Sequence, residues 1–184
     1  MKIFLLLISM LQLAAIKSCA AQSQPELILT IVPASYSSGV SNKAYISFDH
    51  TNHFHVLLTN NSFGPIKLFE EWNSWGYYGL SFEITYSDGR KVQSARERRG
   101  CDKNFPSTVT IAPHGYYIFD VNFNNDSKKD YVWVNSVRSE KRSDDGTHCS
   151  MRAIYFIESS SASIEEHAWT GTITSEIRPY TIWH

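Results

Sequence analysis

Three groups of residues have the types and spacing to do chemistry. His50, His53 and His55 lie within six residues. On a strand, His53 and His55 share a face, and imidazoles at i and i+2 can present two nitrogens to Zn²⁺ or Cu²⁺. A third ligand would come from His50 in the preceding bend, or from His114, His148 or His167. No recognised ligand motif frames the trio, and a solvated strand face carrying two imidazoles accounts for the same pattern.

The second group is the run Glu70-Glu71-Trp72-Asn73-Ser74-Trp75-Gly76-Tyr77-Tyr78. Aromatic faces stack on the C–H surfaces of pyranose sugars and carboxylates accept from their hydroxyls, so Trp72, Trp75 and Tyr78 are the first candidates for a binding surface. A glycosidase needs two carboxylates facing one another across the scissile bond. Adjacent Glu70 and Glu71 on a strand point to opposite faces, so a partner would have to come from elsewhere, such as Glu83 or Asp120. The competing structural reading has the rings plugging an open end of the fold beneath a long crossover.

The third group is basic: Arg90, Lys91, Arg96, Arg98 and Arg99. Such a run can grip an anionic glycan or an acidic protein, but Glu97 and Asp102 dilute it, and a solvated hairpin with local ion pairs is the simpler account. There is no Gly-x-Ser-x-Gly, no Walker loop, no dinucleotide fingerprint and no His-Glu-x-x-His, so no catalytic residue, metal site or cofactor is assigned.

The elements that must position these groups read as strands. Glu26 to Val32 is apolar and β-branched, and His53 to Thr59 alternates. Asn60 to Pro65 is a turn, followed by a short strand from Ile66 to Phe69. Leu80, Phe82, Ile84 and Tyr86 oppose Ser81, Glu83, Thr85 and Ser87, and Asp88-Gly89 signals a hairpin back into Arg90 to Gln93. Further strands are expected at Ala44 to Phe48, Thr108 to Ile111, Tyr117 to Phe123, Tyr131 to Val137, Met151 to Ile157 and His167 to Ile177. Residues 139–147 and 158–166 are polar and read as exposed loops. Nine or ten short strands with one-sided alternation predict an all-β fold, a single antiparallel β-sandwich, with an up-and-down barrel as the alternative.

Met1-Lys2, the apolar stretch Ile3 to Ile16 and the small residues Ser18-Cys19-Ala20-Ala21 follow the three-part plan of a secretory signal. Residues 1–21 are therefore set apart from a single domain over residues 22–184. Cleavage after Ala20 or Ala21 releases the chain; alternatively, Ile16-Lys17-Ser18-Cys19 resembles a loose lipobox in which Cys19 carries a lipid, although Lys17 fits that pattern poorly. Cys101 and Cys149 remain, and two thiols in an exported domain most simply pair. The closed loop of 49 residues would contribute about 4 kcal/mol in the chain-entropy account.

Of 184 residues, 42% are hydrophobic and 14% aromatic, which argues against disorder. Without the first 21 residues, fifteen basic residues face eighteen acidic ones, a net charge of −3 that excludes a general nucleic-acid binder. No apolar run is long enough for a transmembrane helix. Asn60-Asn61-Ser62 and Asn125-Asp126-Ser127 match the glycosylation pattern.

The segments FHVLLTNNSFGPIKLF, TIAPHGYYIFDV, MRAIYF and WTGTITS together resemble the strand signatures of exported bacterial immunoglobulin-like domains. An Asn-rich turn with Pro ends one core strand, a Pro-x-Gly turn opens another, and an Arg-Ala-x-Tyr strand precedes a terminal Trp-Thr-Gly strand. The resemblance covers roughly residues 53–177 and implies an immunoglobulin-like sandwich in an extracytoplasmic setting, without transferring an activity. A narrower similarity, to small proteinase-inhibitor sandwiches, rests on the Asn-turn-Pro ending alone; no reactive-site loop matches. The sequence thus predicts a non-catalytic exported module, secreted, periplasmic or lipid-anchored, whose partner is an unknown protein or glycan. The alternatives are a glycan-active hydrolase near Trp72 and Trp75 and a metal-binding protein through His50, His53 and His55.

Overall fold

A computed structural model describes residues 26–33, 35–36, 44–47, 54–98, 104–123, 133–134 and 147–183. Thirteen strands occur among them: β1 (Leu27–Val32), β2 (Ser35–Tyr36), β3 (Ala44–Ser47), β4 (Phe54–Asn60), β5 (Ile66–Phe69), β6 (Leu80–Tyr86), β7 (Lys91–Arg96), β8 (Thr108–Ile111), β9 (Tyr116–Val121), β10 (Trp133–Val134), β11 (Thr147–Ile157), β12 (Gly171–Thr174) and β13 (Arg178–Trp183). Two short helices, α1 (Ser74–Tyr77) and α2 (Ser161–Glu166), interrupt them. The all-β expectation holds.

Alternation in the sequence becomes two buried faces. β1, β4 and β9 form a three-stranded antiparallel sheet in that order, and Leu27, Leu29, Ile31, Phe54, Val56, Leu58, Phe119 and Val121 are all buried. The larger sheet runs β10-β7-β6-β11-β13-β3-β2, with β12 also on β11, and buries Leu80, Phe82, Ile84, Met151, Ala153 and Tyr155. The faces meet through rings: Phe54 lies 5.6 Å from Phe82, and Phe119 lies 5.4 Å from Tyr155, centroid to centroid. Phe82 also touches Phe123 and Trp133 edge-on, and burying such a ring contributes about 1.5–3 kcal/mol. The sheet orders are open among the described residues, unlike the closed ring of an up-and-down barrel.

β11 organises the larger sheet. Cys149 to Tyr155 pair with β6, while β13 and then β12 share the strand's other edge. Ser175 bridges the change of partner: its N–H donates to Ala153 O at 2.9 Å, and its hydroxyl accepts from Ala153 N at 2.9 Å. β13 also pairs with β3, in parallel, from Tyr180 onward. Pro179 made this strand hard to anticipate, but it sits before the β3 pairing begins, so its missing N–H is not needed on that side.

Two other expectations need correction. Residues 158–166 are not simply an exposed loop: Ser160 caps α2 through a reciprocal box with Ser163, and Ala162 and Ser163 are buried. The strand expected from His167 begins only at Gly171. His167 closes α2 in the left-handed region (φ 54°), and Gly171 takes φ 137°, with Trp169 so close that a Cβ there would lie 3.1 Å from its ring. β5 and β8 pair separately, and β5 meets the segment after α2 through the Trp169 N–H to Lys67 O bond of 2.8 Å.

Candidate functional site

Beyond β5 the chain turns sharply while staying tied to the approach to β8. Glu70 N donates to Ser107 O at 3.1 Å, and Asn73 N donates to Glu70 O at 3.3 Å. Asn73 is wholly buried and fixes the turn: its Oδ1 accepts from Trp75 N and Gly76 N, capping α1, while its Nδ2 donates to Ser107 O at 3.0 Å. Gly76 is required by crowding, because a Cβ there would stand 2.4 Å from Glu70 O. Asn104 secures the same turn from outside, its Oδ1 accepting from Ser74 N at 2.9 Å and its Nδ2 donating to Ser74 Oγ at 2.8 Å.

On this rigid turn the three expected rings go to different neighbours. Trp72 is 37% exposed and meets Phe105, 56% exposed, edge to face at 4.9 Å. Tyr78 is exposed and stands edge-on to buried Tyr77 at 4.8 Å. Trp75 is half-buried against the core beside Phe69, so it serves packing. Phe105 belongs to the surface but escaped sequence reasoning, because it lies thirty-three positions from Trp72 and outside any periodic segment.

Glu70 and Glu71 lie in the turn past β5, not on a strand as expected, and there they take separate partners. Glu70 Oε2 accepts from the Trp72 indole Nε1 at 3.0 Å and from the Ser107 hydroxyl. Glu71 turns inward, pairs with Arg96 and accepts from Tyr117 Oη at 3.1 Å. Arg96 has a side chain only 1% exposed, donates to Tyr77 O at 3.1 Å and lies 5.2 Å and 5.4 Å from the Tyr77 and Trp133 ring centres. Tyr155 approaches this centre with a buried hydroxyl that has no partner among the described residues. Burial first, then the nearby Glu71 charge, pushes its phenol well above the usual tyrosine range. The described hydrogen-bond and ion-pair partners of Glu70 and Glu71 are Trp72, Ser107, Arg96 and Tyr117, none of them an acid.

The basic run does not form one surface. The alternation of β7 carries Arg96 into the core and leaves Lys91 in solvent; Arg98, past its end, is exposed, and Arg90, before its start, lies over the Tyr86 ring at 4.5 Å with Asp88 as ion-pair partner. The solvated-hairpin account therefore fails for Arg96. Arg99 lies outside the described residues.

Of the histidine trio, His50 and His53 lie outside the described residues. His55 Nδ1 stands 2.7 Å from Asp120 Oδ1, a close contact rather than an aligned hydrogen bond. No cluster of three or more His, Cys, Asp or Glu able to hold a metal occurs among the described residues. The expected Cys101–Cys149 bridge finds no support: Cys149 is a free thiol buried on β11, and burial pushes it up to about 12, while Cys19 and Cys101 lie outside the described residues.

The first glycosylation motif is excluded by packing. Asn60 is fully buried; its Nδ2 donates to Gly64 O, Ile111 O and Ala112 O, and its Oδ1 accepts from Ser62 N and Oγ. That amide locks the β4–β5 turn to the β8–β9 turn. Asn125 lies outside the described residues.

No family model matches this chain, and neither a curated protein nor a solved structure matches it.

Proposed function

We propose that this chain is an exported, non-catalytic β-sandwich of the immunoglobulin-like kind, acting as a binding module at or outside the cell envelope. Export is supported by the charged start, apolar stretch and small residues within positions 1–21, with Cys19 the lipid-bearing residue if the chain is anchored. The sandwich reading is supported by the two sheets facing one another through Phe54, Phe82, Phe119 and Tyr155. Among the described residues no helix is long and apolar enough to cross a membrane.

The observation that carries the binding reading is the exposed Trp72–Phe105 pair, held on a turn whose polar groups are already satisfied internally. Exposed aromatics on a rigid support are what a recognition surface needs, because little ordering entropy is lost on contact. Screening the chain on glycan and peptide arrays tests it. A ligand retained by wild type and lost by Trp72→Ala is expected, whereas a ligand that survives both Trp72→Ala and Phe105→Ala sinks the assignment. Trp75→Ala is an unsuitable probe, since that ring supports the core.

A further inference from the structure

Building on the binding-module reading, we propose that the Trp72–Phe105–Glu70 surface takes a neutral pyranose sugar. The sugar's C–H face stacks on the aromatic rings, and its hydroxyls donate to Glu70 Oε1. Glu70 Oε2 is engaged by Trp72 Nε1 and the Ser107 hydroxyl, which fixes the carboxylate plane; Oε1 accepts no hydrogen bond among the described residues. The indole N–H is thus already donated, and one of the two Asn104 Nδ2 hydrogens goes to Ser74 Oγ. What the Trp72–Phe105 rings have beside them is the Glu70 Oε1 acceptor, a charged group that favours hydroxyl donors.

That chemistry selects among ligand classes. A proline-rich peptide presents carbonyl acceptors and is held by donors from aromatic grooves, and the Trp72 donor is already occupied. A quaternary ammonium needs aromatic walls spaced around it, but Trp72 and Phe105 touch at 4.9 Å, with a 68° angle between planes, and leave no cage between them. A uronic or sialic acid brings a second negative charge to Glu70. A neutral sugar supplies both a C–H face and hydroxyl donors.

The test follows the Trp72 indole N–H resonance in the full chain, assigned by its loss in Trp72→Phe. The probes are cellohexaose, maltohexaose, mannohexaose and hexa-N-acetylchitohexaose, with decaproline, choline and a sialylated trisaccharide as the other arms. At least one neutral hexasaccharide should shift the resonance saturably. Glu70→Gln should weaken that binding about tenfold, the worth of a hydrogen bond to a charged group, while the free variant keeps the wild-type far-ultraviolet dichroism. Phe63→Ala, at an exposed turn tip, should leave binding unchanged. A shift by decaproline, choline or the sialylated sugar without any by the neutral sugars overturns the sugar assignment and leaves the binding reading standing. Silence from every probe overturns the sugar assignment, and silence on the arrays as well removes the binding reading too.

Discussion

Arg96→Met is the sharpest probe of how the interior is held. The guanidinium is almost wholly out of water, while the Glu71 side chain beside it is 15% exposed. Removing the cation leaves a mostly buried carboxylate with Tyr117 Oη as its remaining described partner, and frees the Tyr77 carbonyl of its bond from Arg96. Stranding one member of a buried pair costs about 3–5 kcal/mol. Contacts over the Tyr77 and Trp133 rings add to the loss, while methionine refills part of the volume. Against a typical total stability of about 5–15 kcal/mol, this lowers the melting temperature by roughly 6–20 °C for a chain of this size. Urea unfolding followed by far-ultraviolet dichroism, with slope and midpoint fitted separately, measures it. Adding Glu71→Gln removes the stranded charge, so the double variant should be more stable than Arg96→Met alone by at least about 1 kcal/mol. A single-variant loss below about 1 kcal/mol, or strictly additive effects, would refute the claim that the two charges depend on each other.

Other outcomes can be checked on the same protein. Asn60→Ala should cost about 2–4 kcal/mol, because it orphans carbonyls and the Ser62 amide in two turns at once, whereas Phe63→Ala, at 93% exposure, should change stability by less than about 0.5 kcal/mol. Expression in a glycosylating host should add no glycan at Asn60, as read by intact mass. In reduced protein the folded Cys149 thiol stays protonated to about 12, while an unfolded thiol ionises near 9.0. Its contribution to stability is therefore complete below pH 9.0 and declines by up to about 1.4 kcal/mol per pH unit above it. Cys149→Ala should flatten that decline, and so should oxidation if Cys101 and Cys149 pair; denaturant titrations between pH 8 and 11 decide this. If the proposed export holds, intact mass of the mature protein should show either a free N-terminus near Ala21 or an acyl chain on Cys19.

The strands themselves were legible because a period of two leaves its mark on every half-buried ribbon. Leu80, Phe82 and Ile84 announce β6, and the same residues fill the interface between the sheets. The Asp88-Gly89 hairpin was equally local: Gly89 has φ 84°, and Asp88 Oδ1 accepts from Arg90 N at 2.9 Å. Where polar residues occupy inward positions the pattern disappears. β7 continues past Gln93 through buried Ser94 and Arg96, whose burial is possible only because Val134 O accepts from Ser94 and Glu71 pairs with Arg96.

Chemical roles divided along the same line. Sequence alone determined that the rings of residues 72–78 gather after a strand and that the chain builds β-sheet; Glu70 and Glu71 lie past the end of β5, where strand alternation does not set their directions. The sequence did not determine which ring faces water. Trp72 and Trp75 are the same residue three positions apart, yet one meets Phe105 at the surface and the other lies against Phe69. Asn73, satisfied by α1 and by Ser107 across the β5–β8 ladder, sets the angle that separates them. Burial is decided by partners distant in the chain, and local spacing carries no record of where those partners arrive.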